Sequence, residues 1–541
     1  MRRFISIICI FLFSVACAKP QNVLVLLADD AGFELGAYNN SVSKTPNIDA
    51  LAKRGLTFRH GFTSVSSCSP SRSAVLTGLP QHQNGMYGLH HSVHHFNSFD
   101  EVRSLPKLLK HHGVRTGIVG KKHVGPESVY PFDYAVTEDT VSIMQAGRNI
   151  TFMKQKVREF LSSNDTRPFF LYIGFHDPHR CGHTHPEFGV FCEKFGNGDP
   201  GMGLIPDWHP VTYDPAEVKV PYFVPDTPTA RKDIAAQYTT VSRLDQGVGL
   251  MLNELAKSGH LEDTLVIFTS DNGIPFPSGR TNLYEPGMAE PFIASAPKMT
   301  RKGQASDVLV STLDIVPTVL DWFNIKYPKY KVNKNRVRLT GKSLLPVLEN
   351  EPQNEDDSDG DMTSDVTSGK WSTVFASHNL HEVTMYYPMR VVRTKSYRLI
   401  HNLNHLMPFP IDQDFYMSPT FQEILNKSKH GEPLPWYKTL NSYYYRPAWE
   451  LYNIRKDPKE LNNLANEKDH ADVMKKLKTK LLKWMNVTGD PWICSPYAVL
   501  ENAGPYKDHP QCMPLYNDLP IDFKKDAEKY TYESNKIEQL N

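Results

Sequence analysis

Four apolar, β-branched runs in this chain each stop at a cluster of polar residues, and that pattern narrows the fold more than any other feature. Asn22 to Ala28 precedes Asp29 and Asp30; Arg115 to Val119 precedes Lys121 and His123; Phe169 to Phe175 precedes His176, Asp177 and His179; Thr264 to Ser270 precedes Asp271, Asn272 and Gly273. Runs of this length and composition are predicted to be buried strands. Helical patterns lie between them, at Thr45 to Arg54, Leu105 to His112, Ile150 to Leu161 and Asp233 to Lys257. The alternation predicts an α/β fold whose large, mainly parallel sheet is covered by helices on both faces.

In such sheets ligands collect outside the carboxyl ends of the strands, so four polar clusters at four strand ends point to one shared site. A single carboxylate after a strand is commonly a helix cap or a turn former. The pairs Asp29-Asp30 and Asp271-Asn272 are different, because adjacent acids repel and need a cation. Three carboxylates with one amide oxygen make a hard oxygen set suited to calcium or magnesium. The hard oxygen character of this set, with no set of thiolates beside it, argues against zinc.

The cysteines single out one residue. Arg2 and Arg3, the apolar run Phe4 to Val15 and the triplet Ala16-Cys17-Ala18 read as a signal peptide over residues 1–18, which would remove Cys9 and Cys17. Of the rest, Cys181 with Cys192 and Cys494 with Cys512 could each close a local disulfide, leaving Cys68 alone at a helix start. Sequons at Asn39, Asn149, Asn164, Asn426 and Asn486 fit the same secretory route. No later apolar run is long enough to span a bilayer. With 60 basic against 59 acidic residues, nothing suggests a nucleic-acid partner, while 22 histidines would add positive charge at acid pH.

At 541 residues the chain exceeds what one core usually supports. A catalytic domain over 19–370 is expected, followed by a smaller α+β domain over 371–541. Short β-like runs at Met389 to Val392 and Tyr397 to His401 and the helix Val473 to Met485 predict a small antiparallel sheet with one packing helix. The acidic stretch Glu349 to Asp365 reads as a solvated loop.

Cys68-Ser69-Pro70-Ser71-Arg72 followed by Thr77-Gly78 resembles the signature of the type I sulfatases. Gly120-Lys121-Lys122-His123, Thr269 to Gly273 and the C-terminal Glu450-Leu451-Tyr452, Asp457-Pro458 and Asn463-Leu464-Ala465 are similar to further family elements. Val93 to Asp100, Phe175 to His183 and Ile274 to Arg280 resemble the branch of that family that acts on N-linked sulfate.

The resemblance implies an alkaline-phosphatase-like sulfatase fold and conversion of Cys68 to formylglycine by the formylglycine-generating enzyme. One hydroxyl of the aldehyde hydrate would attack sulfur and displace the amine; loss of the proton on the other would re-form the aldehyde and expel sulfate. It assigns Asp29, Asp30, Asp271, Asn272 and the Cys68 position to one calcium ion, Arg72 to supporting the formylglycine, Lys121 and Arg280 to sulfate oxygens, and His123 to a hydrate hydroxyl. His179 falls on the leaving-group side, expected to be protonated at lysosomal acidity. The implied enzyme is a lysosomal exo-sulfamidase acting on terminal N-sulfoglucosamine of heparan sulfate, and the family resemblance implies a homodimer. Arg280 stands where many O-sulfatases carry lysine, and Tyr284-Glu285-Pro286-Gly287 replaces a glycine-rich turn. An exo-O-sulfatase and a secreted glycan-binding protein without catalysis remain open alternatives.

Overall fold

The computed structural model describes residues 22–182, 188–352, 371–501 and 503–514. The signal-peptide reading, most of the acidic stretch and His183 lie outside the described residues.

Eight strands form the main sheet: β1 Asn22–Asp29, β2 Leu56–Phe62, β3 Arg115–Gly120, β4 Tyr134–Thr137, β5 Phe169–Pro178, β6 Thr264–Ser270, β7 Ala289–Ser295 and β8 Gln304–Ser311. Their order is β4-β3-β5-β1-β6-β7-β2-β8. β7 runs antiparallel to both neighbours, and every other pairing is parallel. All four strands foreseen from the sequence occupy contiguous places around β1, while β2, β4, β7 and β8 extend the sheet beyond them.

Every residue of β1 is buried, and successive side chains alternate between the two faces of the sheet. Val23, Val25 and Leu27 of β1 pack on one face with Val75 and Leu76 of the helix Cys68–Thr77. Leu24, Leu26 and Ala28 pack on the other with Met153 and Val157 of the helix Ile150–Leu161 and with Val241, Leu244 and Val248 of the long helix Pro228–Lys257. A strand apolar on both faces must be covered on both, which is why the run lacks alternation.

A separate antiparallel sheet joins Thr373–His378, Met389–Thr394, Tyr397–Asn402 and Trp449–Asn453 in that order. The helix Ala471–Val487 buries Leu477, Leu481 and Trp484 against it. Disulfides join Cys181 to Cys192 and Cys494 to Cys512, each with Cα atoms 5.4 Å apart. Cys68 is the free cysteine among the described residues.

Candidate active site

Strand order brings the polar ends together. β1 lies between β5 and β6, so Asp29 and Asp30 are flanked by His176 on one side and Asp271 and Asn272 on the other. β3 sits beyond β5, where glycines allow an unusually close approach: a Cβ on Gly120, whose φ is +104°, would lie 2.0 Å from the Gly174 carbonyl oxygen. Lys121 N donates to that same oxygen at 2.7 Å, which fixes where its side chain starts.

Cys68 is the first residue of a helix buried along its whole length, preceded by extended Ser67 and ended by Gly78 at φ 69°. The thiol, 1 % exposed, meets Asp29, Asp30 and His179, with ligand atoms of all four within 4.8 Å of one another. Burial, and then the three carboxylates of Asp29, Asp271 and Asp30 against the pull of Lys121, push this thiol well above its ordinary range. It is therefore a protonated, poorly nucleophilic group as it stands.

The surrounding ions interlock. Lys121 Nζ donates to Asp29 Oδ2 at 2.6 Å, and His176 Nδ1 lies 2.6 Å from the same oxygen. Arg72 Nη2 is 2.9 Å from Asp271 Oδ2 and 3.4 Å from Asp29 Oδ1, while its Nη1 donates to the Lys121 carbonyl at 2.9 Å. Asp30, at φ 63°, accepts from Asn272 Nδ2 at 2.6 Å and from Arg280 Nη1 at 2.7 Å. Burial would raise the Asp29 carboxyl, but Lys121, with Arg72 and the hydrogen bond from His176, outweighs it and holds the group well below the usual range. Asp30 goes the other way, because burial and the neighbouring Asp29 and Asp271 overcome Arg280.

Five carboxylates, Asp29, Asp30, Asp271, Asp412 and Asp414, face three cations, Arg72, Lys121 and Arg280. The excess of negative charge is what a divalent cation would offset. Buried Asn272 Oδ1 carries no hydrogen bond, nor do Asp29 Oδ1 and Asp271 Oδ2. Hard oxygen atoms left in this condition beside raised carboxyls fit an oxygen-liganded cation.

Several predicted residues have surroundings the sequence did not suggest. Arg280 Nη2 is held by Asp412 at 2.6 Å and by Asp414, so the fork expected to grip sulfate is already bound by carboxylates. His179 Nδ1 donates to the Arg180 carbonyl at 2.7 Å, leaving Nε2 to accept from Arg280 Nη1 at 2.9 Å. Burial, with Lys121 and Arg280 opposing Asp29, drives this ring well below the ordinary histidine range. These surroundings favour a neutral ring in place of the protonated one expected from histidine's unperturbed value.

His123 adopts φ 55° and its backbone N–H donates to Glu138 Oε1 at 2.5 Å. Its Nε2 is bonded to His91 Nδ1, and its Nδ1 has no hydrogen bond. His91 belongs to a histidine-rich run, His90 to His95, and no local sequence signal marks this contact. Asp177 is fully engaged inside the protein: buried Arg148 and Arg243 both pair with it, Arg243 Nε at 2.7 Å. Asn39, Asn164, Asn426 and Asn486 are exposed, whereas Asn149 caps the helix Ile150–Leu161 by accepting from Phe152 N at 3.1 Å.

The C-terminal part of the chain reaches the same pocket. Ser67 Oγ, next to the thiol, lies 2.8 Å from His381 Nδ1, and Asp412 and Asp414 cover Arg280. The family model described as Sulfatase matches residues 21–325, and that described as N-sulphoglucosamine sulphohydrolase, C-terminal, matches residues 415–486. The chain belongs to the sulfatase family.

This sulfatase is 61% identical over 504 residues to N-sulphoglucosamine sulphohydrolase of Homo sapiens, covering 93% of this chain and 96% of that relative. It is 25% identical to an ulvan-active sulfatase of Formosa agariphila, over 88% and 82% of the two chains. A solved structure in complex with D-glucosamine-2-N,6-O-disulfate shares the fold, with a TM-score of 0.59, 20% identity and coverage of 87% and 99%. Family and relatedness make this sulfatase a hydrolase of sulfate or sulfamate. No helix among the described residues is long and apolar enough to cross a membrane.

Proposed function

We propose that the chain is a lysosomal exo-sulfamidase that hydrolyses the N-linked sulfate of non-reducing-end N-sulfoglucosamine in heparan sulfate. The observation that carries this is the 61% identity, over nearly the full length of both chains, to a relative named for that reaction. The donor set supports calcium, held by Asp29, Asp30, Asp271 and Asn272 with the Cys68 position; bound there, it would supply Lewis-acid stabilisation of negative charge. Formylglycine at position 68 would supply the nucleophile that the raised, buried thiol does not.

The chain's own residues then have distinct tasks. Arg72 ties helix and strands together, bonding the Lys121 carbonyl while pairing with Asp271. Lys121 places a buried ammonium beside Asp29, where it would also meet a sulfate oxygen. Arg280 would bring part of its fork to the substrate, and His179 stands on the leaving-group side with Nε2 facing the pocket cations. His123, fixed by Glu138, presents Nδ1 as the nitrogen without a partner. Glycans at Asn39, Asn164, Asn426 and Asn486 and assembly as a homodimer complete the reading.

Incubation of the secreted protein with N-sulfoglucosamine, following free sulfate and new amine from pH 4 to pH 7, tests it. Stoichiometric release of both is expected. Release from an O-sulfated sugar alone would establish the O-sulfatase alternative.

A further inference from the structure

Asp414 has no role in the chemistry described so far, yet it touches both Arg280 and His179. It lies in a short helix, Gln413–Tyr416, supplied by the C-terminal part of the chain. Asp412 caps this helix by accepting from Phe415 N at 3.0 Å and also takes Arg280 Nη2 at 2.6 Å. Asp414 Oδ1 accepts from the same guanidinium nitrogen and from Phe415 N at 3.1 Å. Its other oxygen, Oδ2, is buried, has no hydrogen bond and lies 3.7 Å from His179 Nε2. The side chains of Asp414 and His179 are 10% and 15% exposed, so this corner borders the pocket mouth while the carboxylates below it are closed.

Burial and the neighbouring Asp412 push the Asp414 carboxyl above its ordinary range against the pull of Arg280, and in its ionised form it only accepts hydrogen bonds. A partnerless acceptor at the pocket wall is satisfied by a group carrying hydrogen and repelled by one offering lone pairs alone. The two kinds of scissile linkage differ in this respect. The nitrogen of a sulfamate, R–NH–SO3−, carries a hydrogen, whereas the bridging oxygen of a sulfate ester carries none. We propose that Asp414 receives the N–H of the scissile sulfamate through Oδ2 and is thereby the residue that selects N-linked over O-linked sulfate.

Hydrolysis strengthens the contact. The N–S bond breaks with its electron pair on nitrogen, sulfur gains the oxygen of water, and nitrogen gains both water protons, so that R–NH–SO3− and H2O give R–NH3+ and SO4 2−. The new ammonium offers Asp414 a charged donor in place of a neutral one. Arg280 keeps Asp414 Oδ1 engaged, which leaves Oδ2 directed at the amine. Arginine, with a planar fork, can hold Asp30, Asp412 and Asp414 together where a single ammonium would not.

This assignment rests on the sulfamate reading, and the test separates the two. With the calcium-loaded, formylglycine-bearing protein, kcat/KM on N-sulfoglucosamine and inhibition constants for glucosamine and for inorganic sulfate are measured in wild type and in Asp414→Asn. Loss of a charge-assisted hydrogen bond should lower kcat/KM by about a hundredfold and weaken glucosamine inhibition by at least about tenfold. Inhibition by sulfate, which Asp414 reaches only through Arg280, should weaken clearly less than inhibition by glucosamine. Equal weakening of both inhibitors, or of neither, overturns the assignment. Should Asp414→Asn fail to fold, Asp414→Glu keeps the charge but displaces the carboxylate by one methylene, and the same split between the inhibitors is required. Wild type that leaves N-sulfoglucosamine intact would instead sink the substrate reading.

Discussion

The ammonium of Lys121 lies 2.6 Å from Asp29 Oδ2, with both side chains shut away from water. Neither charge has solvent to fall back on, so each depends on the other. Removing one partner of a buried pair typically costs about 3–5 kcal/mol. Lys121→Met should therefore lower the unfolding free energy by about that amount, read from the shift in urea midpoint, and should abolish turnover. Retained stability together with lost turnover would mean that Arg72 and His176 alone satisfy Asp29.

Asp177 makes the opposite kind of prediction. Its carboxylate is paired with Arg148 and Arg243 inside the protein, so Asp177→Asn should destabilise by several kcal/mol, about 3. The KM of the molecules that remain folded should hardly change. A raised KM without loss of stability would instead place Asp177 in contact with substrate.

Asp271 is predicted to govern metal content. Replacement by alanine removes one carboxylate and strands the buried Arg72 guanidinium that it pairs with. Calcium retained after desalting and kcat should both fall, kcat by at least about tenfold. Unchanged calcium stoichiometry would remove Asp271 from the ligand set.

A pH effect can be isolated at Glu34, away from the ion cluster. Burial raises its carboxyl from 4.5 to about 7, against hydrogen bonds from its own and the Gly32 backbone. A folded-state value above the unfolded one means that the folded chain keeps a proton the unfolded chain gives up. The associated stability is present below about pH 4.5 and is lost as pH rises toward 7, about 3 kcal/mol in all. Glu34→Gln cannot lose a proton, so its stability relative to wild type should improve steadily between pH 5 and pH 7. A wild-type-minus-variant difference independent of pH would contradict the assigned shift.

Much of this arrangement was legible along the chain because chemistry and topology coincide at strand ends. Asp29, Lys121, His176 and Asp271 follow apolar runs whose parallel pairing forces their polar tails to one edge. The helix Pro228–Lys257 begins five residues before its predicted start at Asp233, because Thr227 caps it by accepting from Ala230 N. β7 was invisible as an antiparallel insertion, since a buried run looks the same in either direction. Asp412 and Asp414 were missed for another reason: they lie over a hundred residues along the chain from Arg280, and no local spacing marks them. The neutral surroundings of His179 also arise from packing, which a residue's ordinary pKa does not contain.

The enclosure of Cys68 sets an order of events. With the thiol 1 % exposed and its helix buried from Cys68 to Thr77, a second protein has no way to grasp this side chain after the core has closed. On the reading proposed above, conversion of Cys68 must take place on the nascent or unfolded polypeptide, so the window for activating the molecule shuts when it folds. A batch folded first would stay inert however long it were later exposed to the converting enzyme, and its catalytic fate would be a record of its biosynthesis.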